Sequence, residues 1–143
     1  MDSKIQPANG GANVQQAVPF LWVGDILDSV RFYRDGLGFT VKRKWEDAGR
    51  LQWCWLEIGG GAIMLQEGDR QRVRGQDAHA AMDLYFICQD AVALWRQVVA
   101  RGIAAERPRV DNGMWITSVE DPDGLTVYFE SPTEAPEDSV FAE

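Results

Sequence analysis

Shifted back by 64 positions, the stretch around Gly124 falls on the stretch around Gly60, with Val127 on Ile63, Tyr128 on Met64, Phe129 on Leu65 and Glu130 on Gln66. A second correspondence, at a shift of 65, lays residues 18–25 on residues 83–90. Each copy reads as a short apolar strand ending at an Asp, a helical pattern closed by glycine, and a hairpin. Two copies make a pseudo-symmetric domain and are too few for a solenoid. The repeat therefore constrains the fold more than any single motif does.

The second hairpin is the better marked. Asp121 is placed to accept hydrogen bonds from the turn backbone, Pro122 presets its own φ, and Gly124 tolerates the positive φ that closes the loop. Alternation then puts Thr126, Tyr128 and Glu130 on one face and Leu125, Val127 and Phe129 on the other. In chain order we expect a flexible lead over residues 1–13, a first module over 14–67, a polar connection over 68–81, a second module over 82–132 and a frayed acidic tail over 133–143. Within the first module, a strand over 16–23 has Pro19 as an edge or bulge marker. Asp25 or Asp28 caps a helix whose buried stripe is Val30, Tyr33 and Leu37. Strands follow over 40–47, 52–58 and 62–67. In the second module, Asp90 opens a helix with Val92, Trp95 and Val99 as its apolar stripe, and Gly102 ends it. An edge strand over 104–110 and a strand over 114–119 lead into the hairpin. His79, the one histidine, falls in the connection among Arg70, Arg72 and Arg74, where a solvated side chain is the expectation.

Length and a hydrophobic fraction of 45% suffice for one cored domain. A formal charge of −8 argues against a nucleic-acid binder and favours a cationic partner. Cys54 and Cys88 sit in apolar strand patterns without metal-type spacing, so free thiols in a reducing cytoplasm are expected. No apolar run approaches the roughly 18 residues that span a bilayer, and Met1-Asp2-Ser3-Lys4 is not followed by a signal-peptide core.

Three stretches carry a resemblance: Trp22-Val23-Gly24-Asp25, the helix end Arg31-Phe32-Tyr33-Arg34-Asp35-Gly36-Leu37-Gly38-Phe39, and Glu120-Asp121-Pro122-Asp123-Gly124. Over residues 14–132 the chain is similar to the vicinal-oxygen-chelate superfamily, which includes glyoxalase I, bleomycin-resistance proteins and extradiol dioxygenases. The resemblance implies an α+β fold of two βαβββ modules forming a cupped mixed sheet, with helices outside and the ligand inside. It also implies a homodimer. In metal-dependent members four cup positions supply His, Glu or Gln ligands, and the corresponding residues here are Val18, Met64, Asp83 and Tyr128. Valine has no donor atom and a thioether suits hard divalent ions poorly, so no metal and no other cofactor is expected.

Without that metal, glyoxalase-type isomerisation and ring cleavage lose the ion that polarises the substrate. What remains is a cavity lined by Phe20, Trp22, Trp53, Trp55, Met64, Tyr85 and Tyr128, with polar points at Glu57, Gln66, Asp83, Thr126 and Glu130. The opposite, helix-facing side already supplies a core from Leu21, Val23, Leu56, Ile58, Ile63 and Leu65. A second apolar face needs a second partner: the other module, another subunit, or a flat ligand stacked between indoles beside carboxylates. The expected function is sequestration of a planar, cationic small molecule, as in bleomycin resistance. The alternatives are a lyase, isomerase or dioxygenase with Asp83 as general base or sole metal anchor, and a regulatory module whose cup is filled by its own side chains.

Overall fold

The computed structural model describes residues 13–69 and 82–143. The expected lead, apart from Asn13, and most of the connection, with its arginines and His79, lie outside the described residues. The first module runs β1 (Phe20–Val23), α1 (Ile26–Val30) continued by a π-helical stretch (Arg31–Gly36), β2 (Thr40–Asp47), β3 (Arg50–Ile58) and β4 (Gly61–Glu67). The second runs β5 (Leu84–Ile87), α2 (Ala91–Ala100), β6 (Arg109–Asp111), β7 (Met114–Glu120) and β8 (Thr126–Pro132). Each module is a four-stranded mixed sheet, ordered β1-β4-β3-β2 and β5-β8-β7-β6. In both, the outer pair is parallel and the hairpin strands are antiparallel.

The register matches the repeat read from the sequence. Phe20 lies beside Met64 and Tyr85 beside Tyr128, so the shift is 65 on the first strand and 64 on the last. Strand alternation then separates two faces. Leu21, Val23, Leu56, Ile63, Leu65, Val127 and Phe129 are buried. With Ile26, Val30 and Tyr33 from the first helical segment and Val98 from α2, they form one core shared by the modules.

Asp25 caps α1, its carboxylate accepting from the amides of Leu27 and Asp28. The Asp121 turn docks the second module onto the first. Asp121 Oδ1 accepts from the amides of Asp123 and Leu125, both at 2.9 Å, and Gly124 takes φ 89°. Its other oxygen accepts the buried Tyr33 hydroxyl at 2.7 Å, while Asp123 accepts from the Gly24 amide at 3.1 Å.

Four expectations need correction. β1 begins at Phe20 because Pro19 has no N–H to give the ladder, although its carbonyl still accepts from Met64. In α2 the buried stripe runs through Ala91, Val92 and Val98, leaving Val99 42% exposed. The edge strand is confined to Arg109–Asp111, because the Ala105 carbonyl is taken by the Trp95 indole and Pro108 has no donor.

The acidic tail is not frayed. Val110 donates to Ser139 and Phe141 to Pro108, and Val140 bridges Arg109. Glu137 accepts from the amides of Asn112 and Gly113 at the turn between β6 and β7, and Arg96 pairs with Glu143 at 2.9 Å. The Phe141 ring sits 6.0 Å from both Trp95 and Trp115. The tail thus closes the free edge of β6, and Glu137 and Glu143 meet local donors.

Candidate ligand-binding site

Cross-strand neighbours on the open face of the first sheet form two rows. One is Phe20, Met64, Trp55 and Arg43; the next is Trp22, Gln66, Trp53 and Trp45. Glu57 lies two residues along β3 from Trp55 and accepts its indole N–H at 2.8 Å. Trp22 is 49% and Phe20 44% exposed, with their rings 5.6 Å apart. On the second sheet Tyr85 stacks on Tyr128, centroids 4.5 Å apart at 19°. Partial desolvation, then Tyr128 and the negative charges of Glu130, Asp83 and Asp111, push the Tyr85 hydroxyl upward. Those three carboxylates thus act on Tyr85 through their charge. Beside Tyr85 and Ile87 opens an apolar crevice of about 400 Å³, lined also by Phe86, Leu94 and Phe129.

The structure brings the sequence-predicted residues together in two groups. Phe20, Trp22, Trp53, Trp55, Glu57 and Met64 share the open face of the first sheet, and Tyr85 and Tyr128 share that of the second, with Asp83 at the approach to β5. Arg43 and Trp45 were missed. Simple alternation along β2 puts them on the side of Val41, which packs against the core. A register shift between Val41 and Arg43 turns them outward.

The four positions that would hold the family metal do not fit one. Val18 offers no donor, Met64 sits between Phe20 and Trp55, and Tyr128 is stacked on Tyr85. Among the described residues no three His, Cys, Asp or Glu side chains are grouped to hold a metal. The cysteines are free, and Cys54 is buried, its thiol pushed up to about 11 by desolvation. Neither has the environment of an activated nucleophile.

The Glyoxalase/Bleomycin resistance protein/Dioxygenase superfamily model matches residues 14–129. The chain belongs to that superfamily. Its fold is similar to UcmS2, at a TM-score of 0.69 and 14% identity over 83% of this chain and 98% of that one. TnmS3, an antibiotic binding protein from Streptomyces sp. CB03234, gives 0.65 and 17% over 86% and 100%. TioX from Micromonospora sp. ML1 gives 0.64 and 21% over 85% and 99%. No functionally curated protein matches the sequence. Among the described residues no helix of this superfamily member is long and apolar enough to cross a membrane.

Proposed function

We propose that the chain is a small-molecule binding protein of the bleomycin-resistance type, acting without metal or other cofactor in the cytoplasm. It sequesters a planar, cationic aromatic, and binding alone is its activity. The observation that carries this reading is the pair of half-exposed aromatic faces: indoles on one sheet, and on the other a stacked tyrosine pair on which the charges of Asp83, Asp111 and Glu130 act. Flat side chains give contact area with little entropy to lose, and a cation over an aromatic face gains roughly 0.5–2 kcal/mol when water is excluded. The name of TnmS3 as an antibiotic binding protein supports an antibiotic-like ligand. A homodimer, in which the open face of one chain is covered by its partner, would enclose that ligand.

The test is calorimetric titration with 9-aminoacridine, a planar cation, and with acridine, neutral at the same pH. The cation should bind more tightly. Asp83→Asn should weaken the cation and reduce its salt dependence, because charge is lost with shape retained. Trp22→Ala should weaken both compounds. Equal affinity for the two, or no response to either substitution, would reject the acidic aromatic site.

A further inference from the structure

The open face of the first sheet carries a cation of its own. After Val41 pairs with Leu56, regular alternation would set Lys42 opposite Trp55; the register shift inserts one residue and sets Arg43 there instead. Bulges of this kind re-aim a side chain while leaving the strand in its ladder. The Arg43 guanidinium lies 4.7 Å from the centroid of the Trp55 ring. Trp55 is in turn held by the hydrogen bond from its indole to Glu57.

Elsewhere the described arginines mostly reach acceptors of the chain: Arg31, Arg34, Arg50 and Arg96 meet carboxylates, and Arg101 and Arg107 meet backbone carbonyls. Arg43 has no such partner among the described residues; its one contact of this kind is the indole face. A guanidinium stacked on a ring keeps its N–H donors at its edge, in a fixed fork that matches a carboxylate. The stacking also restricts the side chain before any ligand arrives, so less freedom is lost on binding.

We propose that Arg43 is an anion-receiving point of the ligand site, and that the ligand is a planar aromatic carrying an acidic oxygen, a carboxylate or an ionised phenol, in addition to its cationic end. This rests on the reading of the aromatic faces as ligand faces. It assigns opposite charges to the two sheets, Arg43 on the first and Asp83, Asp111 and Glu130 on the second.

Three probes share one ring: 9-aminoacridine, 9-aminoacridine-4-carboxamide and 9-aminoacridine-4-carboxylate. On the unaltered chain the carboxylate should bind about tenfold more tightly than the carboxamide, the scale of one charge-assisted hydrogen-bonded contact. Arg43→Gln should reduce that preference to less than about twofold, and Arg43→Lys should retain part of it, since a point charge lacks the fork. Arg43 is exposed, so both variants should fold, as circular dichroism will verify. Carboxamide binding without any preference for the carboxylate, or a preference that survives Arg43→Gln, would overturn the role of Arg43 alone. Failure of all three probes to bind would reject the ligand faces themselves, and the Arg43 assignment with them.

Discussion

Tyr33 and Asp121 form a buried pair 88 residues apart, and each is shifted by the other. Burial first, then the Asp121 charge and hydrogen bond, hold the Tyr33 hydroxyl well above its ordinary 10.0. The folded chain therefore keeps this proton more tightly than the unfolded one, so its stabilisation is complete below pH 10 and declines as pH rises beyond it. Asp121 is also raised from 3.8, by burial, against the lowering effect of the Tyr33, Leu125 and Asp123 donors. Its contribution is present at low pH and is lost as pH rises just above the usual carboxylate range, opposite in sign to ordinary acid denaturation. Tyr33→Phe should cost about 1–3 kcal/mol in urea unfolding at neutral pH, because a buried carboxylate oxygen loses its donor. The same change should flatten the fall in stability above pH 10. An unchanged alkaline slope would show that the hydroxyl is not the titrating group.

The elements show which features were legible in the sequence. Both hairpins, the Asp90 cap and the face of every residue from Thr126 to Glu130 follow from alternation and turn chemistry, which are local; the sequence narrows the first cap to Asp25 or Asp28, and Asp25 holds it. Three features are not local. The bulge beside Lys42 reverses the face of Arg43 and Trp45, and no composition of β2 announces it. The α2 stripe is phased by where Ala91 and Val98 meet the sheet, which propensity does not record. The tail looked frayed because its acidity suggested solvation, whereas Glu137 supplies a turn and Phe141 covers Trp95 and Trp115. Truncation after Pro132 should accordingly lower the thermal midpoint by about 5–10 °C, a loss of a few kcal/mol for a chain of this size. It should also increase tryptophan quenching by acrylamide. A midpoint unchanged by truncation would mean that the strap contributes nothing to the fold.

At the scale of the whole molecule, one core serves both modules and two apolar faces are left open. Tyr85 is 56%, Trp45 55% and Ile87 71% exposed. Exposed patches of large apolar side chains on this scale mark binding surfaces. The proposed homodimer predicts twice the chain mass by light scattering at micromolar concentration. Ile87→Asp, which puts a carboxylate onto the β5 face without touching the core, should shift the mass toward the monomer. A wild-type mass of one chain would reject the dimer.

The lock between Tyr33 and the Asp121 turn has a wider consequence. Two of the three stretches that carry the family resemblance, the helix end containing Tyr33 and the turn containing Asp121, touch each other through a buried hydrogen bond. Their shared task is to hold two half-domains together, so they testify to assembly and are silent about cargo. Under the proposed function, alternate positions along each strand answer to different demands: inward ones to melting, outward ones to affinity. Descendants of such a chain could exchange Trp53, Arg43 or Tyr85 for a new ligand while every inward residue, and with it the Tyr33 and Asp121 part of the signature, stayed as it was. The outward row is where this lineage would keep its pharmacology.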